Sequence, residues 1–242
     1  MRFYSYQQMG CLPDKKEMED RIVAGGNILC DGLHVIAQAK PGIYAVLDGV
    51  GGMYGSAYAS TLAARALADI NNDPADEELL QKALESVHND LVEYSRTATT
   101  ATGMVISESK MLLFHIGNCR LYGLFDGYLR QLTVDQTRYE DMRKQGIAET
   151  EIPDSAKCVL NACLGAKKEL ISSLVIVDIT KQVEGCSRIM ITSDGIHDFV
   201  SIENMEELMN SPAIKPSSLS GLANLAVENG SQDDLSVLVV ER

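Results

Sequence analysis

Three observations in this 242-residue chain are compatible with an α+β fold, without specifying its architecture. Four strand-like runs between residues 99 and 132 are joined by short turns, and short connections imply antiparallel pairing. Apolar residues recur at helical spacing in two successive stretches after residue 55, as expected of a helical layer covering a sheet. Two further apolar runs, 43–47 and 188–192, each stop at an Asp followed by Gly. A carboxylate at the tip of a buried strand is held firmly by the sheet behind it, and the Gly lets backbone approach a ligand closely. Two such tips brought together make an oxygen-rich site for a hard divalent cation. Asp-Gly is also a strong hairpin signal. Of the four pairs, Asp31-Gly32 and Asp126-Gly127 fit turns, whereas Asp48-Gly49 and Asp194-Gly195 lead into helical spacing.

In chain order, residues 3–7 read as an opening strand and residues 11–20 as a polar, charged loop. Residues 22–29 and 33–39 read as a hairpin around Asp31-Gly32, followed by the strand that ends at Asp48. Ala59, Leu62, Ala63, Ala66, Leu67 and Ile70 lie on one face of a helix. Asp73 can cap the next helix with Pro74 in its first turn, and Leu80, Leu84, Val87 and Leu91 give it a buried stripe. Strands follow over 99–106, 111–116, 121–125 and 128–132. Residues 133–166 are weakly patterned, with a short helix near 139–144, and the stretch at about 138–165 is a candidate flap over the surface. Strands at 171–179 and 188–192, helices at 202–209 and 219–227, and a closing strand at 235–240 complete the chain. With no repeat or linker, residues 1–242 are expected to form a single domain.

The net charge of −13 argues against a nucleic-acid or anionic-membrane partner. No stretch is long and apolar enough for a spanning helix, and the first residues do not read as a signal peptide. Six cysteines without a Cys-x-x-Cys pair are expected to be reduced and mostly buried, in a cytoplasmic protein. The signatures of serine hydrolases, P-loop proteins, zinc proteases and cysteine-based phosphatases are missing. What remains is carboxylates at element ends: Glu19, Asp20, Asp48, Asp194, Asp198 and Asp233.

Asp48-Gly49-Val50-Gly51-Gly52, with Gly55 and Ala59-Ser60 behind it, resembles the Asp-Gly-x-Gly-Gly motif of the metal-dependent type 2C Ser/Thr protein phosphatases in their compact bacterial form. Met18-Glu19-Asp20 matches the early Glu-Asp motif of that family, and Thr99-Thr100 its Gly-Thr-Thr strand start, with Ala98 for Gly. Residues 117–122 resemble Gly-Asp-Ser-Arg-x-Tyr, and residues 132–137 resemble Leu-Thr-x-Asp-His-Ser. Ser193-Asp194-Gly195-x-x-Asp198 and Gly230-Ser231-x-Asp233-Asp234-x-Ser236 complete the set, the last standing in for Gly-x-x-Asp-Asn-x-Thr. Each motif alone is weak; seven in register from about residue 15 to the end are specific.

The resemblance implies a four-layer α-β-β-α sandwich of two antiparallel sheets with helices on both outer faces. It implies two Mn2+ or Mg2+ ions bridged by Asp48, one served by Glu19 and the Gly49 carbonyl, the other by Asp194 and Asp233. Asp20 would hold metal-bound waters, and a hydroxide shared by the ions would attack phosphorus, so no protein nucleophile is needed. Thr99 and Thr100 are expected to shape the sheet beside the site. The implied activity is hydrolysis of phosphoserine and phosphothreonine on the protein targets of a Ser/Thr kinase, by a monomer.

The chain departs from the family pattern at several places. Lys15 stands where the family carries a phosphate-binding Arg, which keeps the charge but loses the bidentate fork. Val50 occupies the position of a His that eukaryotic members use as general acid. Asn118 replaces an Asp that in relatives helps Asp194 and Asp198 bind a third metal, so a third site here is expected to be weak. His197 between those aspartates is expected to pack beside the site. These changes leave two alternatives open: a catalytically weak or inactive relative acting as a metal-binding interaction module, and an enzyme acting on a small phosphorylated metabolite.

Overall fold

The computed structural model describes residues 1–13, 15–36, 40–51, 55–70, 76–94 and 97–242. The chain opens with β1 (Arg2–Gln8), β2 (Arg21–Ala24), β3 (Asn27–Leu29), β4 (Gly32–Ile36) and β5 (Gly42–Leu47). Two helices follow, α1 (Ser56–Asp69) and α2 (Glu77–Glu93), and then β6 (Ala98–Thr99), β7 (Ala101–Ile106), β8 (Met111–Ile116), β9 (Arg120–Phe125) and β10 (Tyr128–Gln131). After α3 (Arg138–Lys144) come β11 (Leu164–Gly165), β12 (Val175–Asp178) and β13 (Arg188–Thr192). The short α4 (Asp194–His197), α5 (Ile202–Asn210), α6 (Pro216–Glu228) and β14 (Leu235–Glu241) close the chain.

Two six-stranded sheets form, in the orders β10-β9-β13-β14-β1-β4 and β12-β8-β7-β5-β2-β3, and every pairing within them is antiparallel. The layers follow from side-chain alternation. Tyr44 and Val46 of β5 face Ile189 and Ile191 of β13 in a core between the sheets. Ile43, Ala45 and Leu47 point the other way, onto Leu67 of α1 and Leu80, Leu84 and Leu91 of α2. On the far side Met190, Val237 and Val239 pack against Met205 of α5 and Leu219 and Ala223 of α6. Central strands are therefore covered on both faces and read as continuous apolar runs rather than alternating ones. This is the four-layer sandwich, with helices on both outer faces.

Several boundaries differ from the sequence expectation. The expected hairpin around Asp31-Gly32 is instead β2–β3, turning at Gly25-Gly26, both at positive φ, and β4 crosses to the other sheet to pair with β1. Two adjacent glycines break the run earlier than an Asp-Gly pair does. The strand expected at 171–179 starts only at Val175, because residues 168–173 form a 3-10 turn. The strand expected at 99–106 is split at Thr100, whose N–H donates to the Asp48 carbonyl at 2.8 Å. Asp73 and Pro74 lie outside the described residues, as do 37–39 and Gly52. Within them, Asp76 caps α2 by accepting from Glu78 and Leu79. The Asp126-Gly127 turn has both residues at positive φ and joins β9 to β10, as a tight hairpin requires. All six cysteines are free, but Cys11, Cys30 and Cys158 are exposed, so half rather than most are buried.

Candidate metal centre

The two sheets deliver their carboxylates to one end of the sandwich. Asp48 directly follows β5, and Asp20 directly precedes β2, whose Arg21 pairs with Leu47, so Asp20 and Asp48 sit side by side. Asp194 follows β13 and Asp233 precedes β14, and the register there places Thr192 opposite Val237, which brings those tips together in turn. The Ser193 N–H donates to the Ser236 carbonyl at 3.0 Å and prolongs the ladder to the tip. Thr99 and Thr100 do what the sequence expects: the Thr99 hydroxyl donates to the Asp48 carbonyl at 2.8 Å, and the Asp48 N–H donates to Thr100 Oγ1 at 3.1 Å. Gly49 bridges to Thr99, and a Cβ there would overlap the Ser56 and Glu19 carbonyl oxygens.

Asp48, Asp194 and Asp233 line one cavity of about 270 Å3, with Val50, Thr100, Asn118, Cys158 and Leu160. No imidazole stands at position 50, as the sequence implies. Asp198 opens instead into a neighbouring cavity of about 380 Å3 with Arg120, Arg143, Lys157 and His197, and Asn118 borders both. Asn118 Nδ2 donates to Asp194 Oδ2 at 2.9 Å. His197 is buried, with Nδ1 2.9 Å from Thr192 Oγ1. Burial and the nearby Arg120 charge push its pKa well down, which fits the packing role expected of it. Residues 133–166 carry α3 and short turns, and reach the site through Cys158 and Leu160; this stretch is anchored by Arg138 N–H to the Val159 carbonyl and by β11 against β6.

Lys15 takes a direction that local sequence does not reveal. Its ammonium lies 2.7 Å from Glu19 Oε2, 3.1 Å from Asp234 Oδ2 and 3.7 Å from Asp233 Oδ1. Its expected partner was phosphate. Here the charge is turned inward on carboxylates. Burial works to lower its pKa, but Glu19 and Asp234 outweigh that and raise it above the usual lysine range. Asp234 holds this corner together, a place that its position in the last motif does not reveal. It is buried, and its carboxylate also accepts the N–H groups of Gly10, Glu19 and Asp20, so it ties down the segment that presents Glu19 and Asp20. The only sequence signal is an Asp where the motif carries Asn.

The donor set suits a hard dication. Asp20 Oδ1, Asp194 Oδ1 and the Asn118 carbonyl oxygen are buried and find no hydrogen-bond partner among the described residues, an arrangement that costs free energy unless a cation or water engages them. Burial, then mutual repulsion, raises the pKa of Asp20 and Asp48 well above the usual range and that of Asp194 and Asp233 less far. Yet among the described residues no three acidic, His or Cys side chains already converge tightly enough to grip an ion. Each is drawn aside: Glu19 to Lys15, Asp20 to the Ser236 hydroxyl at 2.6 Å, and Asp194 to Asn118.

The raised carboxylates fix the sign of a pH effect. Such a group stabilises the metal-free fold below its unfolded pKa, and that contribution is lost as pH rises through the higher folded pKa. Buried His88, His115 and His197 have lowered values and act in the opposite sense near neutrality, so a variant comparison is needed. In chelator, Asp48→Asn should gain melting temperature relative to the unaltered protein from about pH 5 to about pH 8. Saturating Mn2+ should reverse the order. A difference that stays flat with pH would show that burial and its neighbours do not raise the Asp48 carboxyl.

A two-sheet sandwich with acidic strand tips meeting at one end defines a class of metal-dependent hydrolase folds, and known proteins narrow it. The family model described as protein phosphatase 2C matches residues 24–237. The chain belongs to the protein phosphatase 2C family. It is 26% identical over 216 residues to the serine/threonine phosphatase stp of Listeria monocytogenes, spanning 83% of this chain and 84% of that one. It is 27% identical over 236 residues to the serine/threonine protein phosphatase PstP of Mycobacterium tuberculosis, spanning 92% of this chain but 42% of PstP. Its fold matches the solved PstP structure with a TM-score of 0.77 at 23% identity, over 100% of this chain and 99% of that one. A second PstP structure, of the catalytic domain in complex with two manganese ions, matches with a TM-score of 0.74.

Proposed function

We propose that this chain hydrolyses phosphoserine and phosphothreonine in proteins, using two Mn2+ or Mg2+ ions held by Glu19, Asp48, the Gly49 carbonyl, Asp194 and Asp233. The observation that carries this reading is the convergence of Asp48 from one sheet and Asp194 and Asp233 from the other on a single cavity. Asp48 lies between the Glu19–Asp20 side and the Asp194–Asp233 side, which suits it to touch both ions. Bound ions would supply an acidified water and the positive charge that draws in the phosphoryl group. Asp20, accepting from Ser236, is placed to hold a proton or orient a water. Val50 and Leu160 give the cavity an apolar rim, and Asp234 holds Glu19 and Asp20 in place from behind. Residues 1–242 act in this reading as one domain whose 138–165 segment covers the site, in a cytoplasmic monomer. Nothing in the geometry favours an inactive interaction module.

A Mn2+-dependent assay on p-nitrophenyl phosphate and on a phosphothreonine peptide tests the reading. Hydrolysis of both, abolished by chelator, is expected; no hydrolysis of either at saturating Mn2+ would overturn it.

A third ion beside Asp198 and Asn118 is expected to bind weakly. Asn118→Asp replaces a donor to Asp194 with a like charge. It should lower the melting temperature in chelator and raise the number of bound Mn2+ ions from two to three by anomalous scattering. Three well-occupied ions in the unaltered protein, with Asn118 among the ligands, would contradict this.

A further inference from the structure

We propose that Lys15 is a built-in competitor for the cation on the Glu19 side, an inference that rests on the metal-binding reading above. The ammonium is almost fully buried, with 5% of the side chain exposed, and its shortest contact is with Glu19 Oε2. It is also within 3.7 Å of Asp233, the ligand assigned to the other ion, and 3.1 Å from Asp234. A monovalent cation therefore lies between donors assigned to both metals. Asp234 explains why it can stay there. In the family motif this position is Asn; here a buried carboxylate adds one negative charge, and Lys15 is the ammonium that balances it.

A dication on Glu19 carries twice the charge of the ammonium it would displace, and the two cannot share one carboxylate without strong repulsion. Lys15 has a flexible four-carbon stem, so its ammonium can release Glu19 and keep Asp234. Filling the Glu19 side then includes breaking the 2.7 Å Lys15–Glu19 contact, whereas on the other side Asp194 accepts from the neutral Asn118 amide and Asp233 lies farther from the ammonium, at 3.7 Å. The two ions bind with unequal affinity, and the chain itself sets the metal concentration at which the second site fills. An Arg turned outward to phosphate would impose no such threshold.

Mn2+ titration calorimetry on three variants tests this. In Lys15→Met/Asp234→Asn, which removes the pair together and avoids stranding a buried charge, the weaker site should tighten by about tenfold or more, and by more than the tighter one. Asp234→Asn alone leaves the ammonium with Glu19 as its main partner and should weaken the same site. If the pair merely supported the local fold, both variants would bind worse. Two equal sites in the unaltered protein, or a double variant that binds no tighter, would overturn the proposal. Asp48→Asn separates the two ideas: if it retains both ions at the original affinities, the metal assignment itself fails, whatever Lys15 does.

Discussion

Asp194→Asn is expected to cut turnover by ~100-fold or more, because Asp194 is a proposed ligand, and a ligand matters at least as much as the outer groups that orient ligands. The substitution is nearly isosteric. Its effect is one of charge: Asp194 sits at the end of β13, lines the cavity with Asp48 and Asp233, and already accepts from Asn118. An Asn there keeps a carbonyl oxygen but loses the negative charge that offsets a dication. The fold should persist, since burial and Asp198 already work against ionisation of this carboxyl in the metal-free state. Steady-state rates at several Mn2+ concentrations, with calorimetry on the same sample, decide the matter. A rate within a few-fold of the unaltered enzyme would remove Asp194 from the centre.

Gly195→Ala should cost about 3 kcal/mol of stability, at the upper end of overpacking costs. A Cβ at this position would overlap the Asp234 carbonyl oxygen and come within 3.1 Å of its carbon. Both are backbone atoms, so no side chain can swing away. The Gly195 carbonyl also accepts the Ser231 hydroxyl at 2.9 Å, which locks the two loops together. Relief requires Asp194 and Asp233 to move apart, so melting temperature and Mn2+ affinity should fall together. A variant that melts normally would mean the loops are looser than this packing implies.

Much of this carboxylate cluster could be read from sequence because its members sit at element boundaries. A strand buried on both faces shows as an unbroken apolar run, and Asp48 and Asp194 are where two such runs stop. The Asp126-Gly127 hairpin was legible for a local reason, two residues that tolerate positive φ. What escaped depends on partners distant in sequence. Whether Gly25-Gly26 or Asp31-Gly32 turns the hairpin depends on β4 finding β1 in the other sheet. The direction of Lys15 depends on Asp234 at the far end of the chain, and no local pattern around residue 15 encodes that. Asn118 and Cys158 were readable as residue types, but their places on the cavity wall follow only from the packed sheets and the segment lying over them.

The layer between the two sheets has a consequence for affinity. Glu19, Asp20 and Asp48 ride on one sheet, whereas Asp194 and Asp233 ride on the other, and Tyr44, Val46, Ile189, Ile191 and Leu238 fill the gap. Those side chains act as the shim of a caliper: their summed thickness sets how far apart the two jaws stand. The spacing between Asp20 and Asp48 on one side and Asp194 and Asp233 on the other is thus held by hydrocarbon that lies behind the carboxylates.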